Sequence, residues 1–172
     1  IEGNHVYLIF EFHTGDASGQ NMVTIATNEV FNYILDHSPI SPQDAFLDGN
    51  LSGDKKPNAH TLRHVRGKKV TAEIQLTREL VEKYLHTTPE QMVKFGQMTT
   101  TGAALSGSIG VNAHYANALA ALYIACGQDA ACVSESAIGI TRMELNKQGG
   151  LYACVTLPNL MVGTCLLYTS PS

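Results

Sequence analysis

The sequence predicts an α+β fold. Some stretches alternate apolar and polar residues and read as strands, while others place apolar residues three and four apart and read as helices. With 172 residues, 44% hydrophobic and 15% charged, the chain has the size and composition of one domain or of part of a larger one. It can bury a core and is not a disordered chain.

The segments follow in order. In "HVYLIFEFH", Val6, Leu8, Phe10 and Phe12 share one face, the pattern of a half-buried strand. The turn "TGDASGQN" leads into a helix from Asn21 to about Asp36, with Met22, Ile25, Ala26, Val30, Tyr33 and Ile34 on one stripe. Pro39 and Pro42 break the chain, and residues 46–58 form a loop. "RGKKVTAEIQL" alternates through Val70, Ala72, Ile74 and Leu76 as a second strand. Thr77 can cap a helix carrying Leu80, Val81, Tyr84 and Leu85, and Thr88, Pro89 and Gln91 open another as N-cap, N1 and N3. Small residues dominate Thr99 to Gly110, and helical spacing then runs through Ala116, Leu119, Ala120, Tyr123 and Ile124. Gly127 suits the position after that helix, leaving Gln128 and Asp129 just beyond its end. "AIGITRMEL" and "LYACVTLPN" read as two further strands.

The bulk numbers exclude several classes. A net charge of −4 argues against a general nucleic-acid binder. Cys126, Cys132, Cys154 and Cys165 lack CxxC spacing, and reduced thiols in a cytoplasmic protein are the reading they give. No apolar run reaches the ~18 residues that span a bilayer. The chain opens without Met on a strand-like segment, the look of a fragment lacking its N-terminal part.

The loop "FLDGNLSGDKKPNAH" raises the chemical question. Lys55 and Lys56 repel each other, so they are either solvated or gathered around an anion, with Asp54 as counter-charge and Pro57 and the glycines fixing the loop. One lysine would hold a carboxylate while the other polarises a carbonyl. Asp129 is either a solvated turn residue or the partner that tunes such an amine. The turn before the first helix is either a plain polar turn or an anion site, and it lacks GxGxxG. His114 and Asn117 share a helix face, with His114 read as a buried, hydrogen-bonded ring or a supporting group. His60 and His64 have helical spacing but no third ligand, so no metal site is assigned. The basic run His60, Arg63, His64, Arg66, Lys68 and Lys69 reads most simply as a solvated face, with a cofactor phosphate as the sharper alternative.

The motifs "GDASGQNM", "GNLSGDKKP", "SGSIGVNAHYAN" and "IACGQDAA" occur in the order, and at about the separations, of 3-hydroxy-3-methylglutaryl-CoA (HMG-CoA) reductases, which the chain resembles from about Tyr7 to Thr164. The DKKP form looks like the class I, NADPH-using branch. The resemblance implies four-electron reduction of the thioester to mevalonate with two NADPH and release of coenzyme A. It makes Lys55 and Asp129 catalytic, and assigns Asp54 and Lys56 to the carboxylate end of the substrate and Asn117 to substrate binding, where it would help position Lys55. Asp16, Ala17, Ser18, Gly19, Gln20, Asn21 and Met22 match the cofactor-binding turn. The implied architecture is a helical large domain with an inserted ferredoxin-like small domain. Residues 1–45 would belong to the small NADP-binding domain, 46–58 to the connecting lysine loop, and 59–164 to the large substrate and dimerisation domain. A homodimer with its active site between subunits is implied.

Three departures accompany the resemblance. The family's catalytic glutamate and histidine lie upstream and downstream of these residues, so the fragment alone is expected to be inactive, and His114 is not that histidine. After DKKP this chain reads "NAHTLRHVRGKK", without the family's Trp. "CLLYTSPS", residues 165–172, reads as a foreign tail. Two other readings stay open: a truncated relative that binds CoA or a nucleotide without catalysis, and a Schiff-base lysine enzyme.

Overall fold

The computed structural model describes residues 1–15, 19–49, 51–64 and 66–163, apart from the Gln20 side chain. The predicted foreign tail, residues 165–172, lies outside the described residues, as do Cys165, Asp16, Ala17 and Ser18. What is described is a small α+β assembly, with five α-helices and a three-stranded antiparallel sheet among the described residues.

The sheet follows the sequence pattern. Strand β1 (Lys68–Leu76) pairs along its length with β3 (Leu151–Leu160), from Lys68 opposite Leu160 to Leu76 opposite Leu151. Strand β2 (Ile140–Leu145) pairs with the other edge of β3, so the order is β1-β3-β2. Asn146 closes the β2–β3 turn by accepting the N–H groups of Gln148 (3.1 Å) and Gly150 (2.7 Å) on its side-chain oxygen.

The helices begin and end where the caps predict. In α2 (Arg78–Leu85) the Thr77 hydroxyl accepts the Leu80 N–H, and in α3 (Pro89–Ser106) Thr88 accepts that of Gln91, with Pro89 at the first turn. Helix α3 packs on β2, where Gly96 faces Met143. Helix α4 (Tyr115–Ala125) ends in a Schellman motif: Gly127, at φ 65°, donates to the Ile124 carbonyl and Gln128 to that of Tyr123. A 3₁₀ turn (Ala130–Cys132) and the short α5 (Val133–Ser136) follow directly.

The core lies where α4 meets this segment and the end of β3. Leu119, Tyr123, Cys132 and Met161 are buried together, with Val133, Ala137, Leu157 and Leu160 around them. The Tyr123 hydroxyl donates to the Met161 carbonyl at 2.7 Å and lies 2.9 Å from Ser136 Oγ, so the one polar atom brought into this cluster is satisfied.

The N-terminal stretch departs from expectation. Residues 6–13 form no strand, and Val6, Leu8, Phe10 and Phe12 are exposed. An alternating segment becomes a strand only when another edge takes its N–H and C=O groups, and the described residues provide this one with no ladder partner. Helix α1 (Gln20–His37) forms as predicted, yet Met22, Ile25 and Tyr33 of its stripe are exposed. His114 is also corrected: it is exposed, standing before α4 at φ 64° rather than within the helix. Among the described residues no helix is long and apolar enough to cross a membrane.

Candidate active site

The lysine loop is a braced turn. Gly53 takes φ 69°, and a Cβ there would stand 2.1 Å from Asn58 Nδ2, so the position requires glycine. Asn58 donates to the carbonyls of Gly53 (3.1 Å) and Lys56 (2.9 Å) and accepts the Thr61 N–H (3.1 Å). Thr61, buried, returns a hydroxyl bond to the Asn58 carbonyl at 2.8 Å. Through these bonds the loop is tied to the 3₁₀ turn Ala59–Leu62 that follows it.

Lys55 sits in this turn with φ 57°, a left-handed conformation that costs a non-glycine residue ~1–2 kcal/mol. Its side chain reaches Asp129, Nζ to Oδ2 at 2.7 Å. Asp129 is presented by the turn after the Schellman motif, where its other oxygen accepts the Ala131 N–H at 2.9 Å. The hydrogen bond to Asp129 raises the Lys55 pKa above its ordinary value against the opposing effect of burial, and the same bond lowers that of Asp129. Lys55 therefore stays an ammonium and Asp129 a carboxylate at neutral pH.

The other end of Lys55 is held as well. Its backbone N–H donates to Glu135 Oε1 at 3.1 Å, and Glu135 is fully buried. Arg66 binds both Glu135 oxygens, through Nε to Oε2 at 3.2 Å and through a terminal nitrogen to Oε1, and that terminal nitrogen also reaches Asp54 Oδ1. Asn159, buried near the end of β3, donates to Glu135 Oε2 at 3.2 Å. Its Oδ1 accepts the N–H groups of Arg66 (3.1 Å) and Gly67 (2.7 Å).

Magnitudes separate these contacts. The Lys55 side chain is 44% exposed, so its ion pair with Asp129 contributes only ~0–1 kcal/mol to stability. A backbone N–H on a buried carboxylate contributes ~1.5–3 kcal/mol, enough to offset the left-handed backbone. Stripping a buried charge pair of one partner costs ~3–5 kcal/mol. The loop is therefore held by Glu135 and Arg66, and Asp129 orients an ammonium already placed.

Lys55 and Asp129 come together. Lys56 is exposed and folds back, its Nζ on the Asp54 carbonyl at 3.1 Å. Asp54 meets Arg66, which is exposed, as the solvated-face reading of the basic run has it, while its guanidinium is paired with Asp54 and Glu135. Asn117 is exposed on α4, and no side-chain hydrogen bond joins it to Lys55 among the described residues. His60 and His64 stack on each other with ring centroids 4.7 Å apart. Gly19 lies at the start of α1 with φ 75°, packed on Thr14, while Met22 is exposed. Gln128, beside Asp129, is buried with neither amide atom hydrogen-bonded to any described residue. Glu135 and Asn159 are the residues that sequence reasoning missed, their types and spacing carrying no pattern that marks them, and Arg66 figures there only as one member of the basic run.

Comparison with known proteins decides the family. The hydroxymethylglutaryl-coenzyme A reductase profile matches residues 1–165. The chain belongs to this family. It is 47% identical over 165 residues to the 3-hydroxy-3-methylglutaryl-coenzyme A reductase of Pyrococcus horikoshii, covering 95% of this chain and 40% of that protein. The enzyme of the same name from Methanocaldococcus jannaschii is 43% identical over 168 residues, covering 95% of this chain and 41% of the relative. In Dictyostelium discoideum, reductase 2 is 41% identical over 167 residues, covering 95% of this chain and 32% of its own length. The chain thus spans about two-fifths of the archaeal relatives it matches.

Proposed function

We propose that this chain supplies the lysine side of an active site that reduces HMG-CoA to mevalonate and coenzyme A. The carrying observation is the Lys55–Asp129 contact at 2.7 Å in a family of reductases. As the thioester carbonyl is reduced, negative charge builds on its oxygen, and the Lys55 ammonium donates a hydrogen bond there. Asp129 keeps that ammonium protonated and aimed. The same pairing disfavours a Schiff base, which requires a neutral amine. Lys56, free to swing away from its own loop, is assigned to the substrate carboxylate. Asp54, its charge balanced by Arg66, is assigned with Lys56 to the carboxylate end of the substrate, and Asn117 to the same site, where it would help position Lys55.

The reductant would be NADPH, two per turnover, which supplies hydride. Its binding turn is assigned to Asp16 to Met22. The described part of that turn fits an anionic group, since α1 starts at a left-handed glycine with neither a side-chain cap nor an acidic residue in its first turn. The division into a small domain at residues 1–45, a connecting loop at 46–58 and a ferredoxin-like insertion in a helical large domain is part of this reading. So are the class I assignment, the cytoplasmic location and the homodimer with a shared active site.

The test is Lys55→Ala in the intact protein that carries this segment. NADPH-dependent reduction of HMG-CoA should fall by at least ~10³-fold, beyond the loss of an ordinary oxyanion donor. Near-normal turnover would sink the assignment. Lys56→Ala should chiefly raise KM for the substrate.

A further inference from the structure

Lys55 is gripped at both ends by one short segment of chain. Asp129, at the start of that segment, takes the ammonium, and Glu135, at its end, takes the backbone N–H. The two grips differ in kind. Asp129 is partly exposed, whereas Glu135 is sealed from solvent and has both oxygens engaged, by Lys55, Arg66 and Asn159. Arg66 carries the restraint around to Asp54, the residue before Lys55. Asn159 ties Arg66 and Gly67 to the end of β3. The lysine is thus fixed from both sides to the sheet and to the segment that bears its partner.

We propose that Glu135 is the positioning residue for Lys55. Its buried carboxylate holds the Lys55 backbone in the left-handed conformation and, through Arg66, locks Asp54, so that the ammonium is presented to Asp129 and to the reacting carbonyl. Glu135 touches no reacting atom and acts through the lysine. A left-handed lysine persists only where its surroundings over-determine it, and here the over-determining group is a carboxylate with no solvent access. This role deepens the reductase reading and rests on it for its catalytic meaning, although the placement of Lys55 can be read without turnover.

The experiment uses the intact protein that carries this segment, with Glu135→Ala, Glu135→Gln and Arg66→Gln. Competitive acetylation with acetic anhydride across pH, followed by peptide mass spectrometry, reports the apparent pKa and reactivity of Lys55. Lys83 and Lys147 serve as internal references. The groups that face the Lys55 amine are Asp129, Asp54 and Cys132, none of which is altered. In Glu135→Ala the Lys55 pKa should fall toward that of an ordinary lysine and its labelling near pH 8 should rise several-fold. The kcat for NADPH-dependent reduction should drop by ~10–100-fold, the cost of a misplaced catalytic group, with KM for HMG-CoA little changed. Glu135→Gln keeps an acceptor for the Lys55 N–H but turns an amide donor on Arg66, so it should fall between wild type and alanine.

Wild-type Lys55 labelling in a folded Glu135→Ala protein overturns the proposal. If that variant unfolds, so that all lysines label alike, Glu135→Gln and Arg66→Gln decide, and unshifted Lys55 in both overturns it equally. A shifted Lys55 pKa in a protein whose wild type does not reduce HMG-CoA upholds the positioning role and defeats the reductase reading instead.

Discussion

Residues 6–13 and residues 70–76 both carry an apolar residue at every second position, yet only the second is a strand. The difference lies outside both segments. Residues 70–76 find β3 beside them and exchange a ladder with it from Val70–Leu157 to Leu76–Leu151, while residues 6–13 find no such edge among the described residues. Helices repeat the lesson. Leu119 and Tyr123 of α4 are buried because β3 and the Asp129–Glu135 segment close over them, whereas the stripe of α1 stays open. Periodicity therefore states which face a segment would bury, and tertiary context states whether it does.

The largest test of this contrast is amide hydrogen exchange on this chain. The N–H groups of β3 that pair with β1 and β2 should exchange slower than those of residues 6–13 by several orders of magnitude, since opening them approaches global unfolding. Equal protection in both regions would mean that residues 6–13 have found a partner edge. Next come paired truncations read by denaturant unfolding. Leu119→Ala should cost ~2–5 kcal/mol, as expected of a buried leucine. Ile25→Ala, on an open helix face, should stay within ~0.5 kcal/mol. A large loss at Ile25 would show that α1 is covered in solution. Thr88→Ala, which removes the α3 cap, should cost ~1 kcal/mol.

The smallest effects are ionic. The Arg78 hydrogen bond lowers the Glu90 carboxyl from 4.5 to about 2, so the stability from this exposed pair is present above pH 4.5 and is lost as pH falls toward 2. For the Lys55–Asp129 pair the window is wider. With Asp129 lowered from 3.8 and Lys55 raised from 10.5, its contribution is complete between those values, lost below as Asp129 protonates and above as Lys55 deprotonates. Arg78→Ala should raise the Glu90 pKa measured by carboxyl NMR titration, and an unmoved value would remove the pair from the account.

What was legible in the sequence was local chemistry. Thr77, Thr88 and Gly127 announce their helix ends because capping depends on residues a few positions apart. The three strands of the sheet and the meeting of Lys55 with Asp129 also emerged, the latter through motifs rather than through periodicity. The group that holds the lysine did not. Glu135 lies 80 positions from Lys55 and 69 from Arg66, inside a run of small residues that looks like any surface turn. Arg66 sits in a basic run that reads as solvated, and only burial of its partner sets it apart. A buried charge is invisible in one dimension until the fold says what faces it.

The Asn159 amide uses both of its ends, the oxygen on two backbone N–H groups and the nitrogen on Glu135. Deamidation would exchange that nitrogen for an anionic oxygen at the same place and nearly the same size. Two carboxylates would then face each other across 3.2 Å without water between them. Ageing of a single side chain at the end of a strand would thus release the lysine loop while leaving Lys55 and Asp129 chemically intact. The mimic Asn159→Asp should reproduce the shifted Lys55 labelling expected of Glu135→Ala.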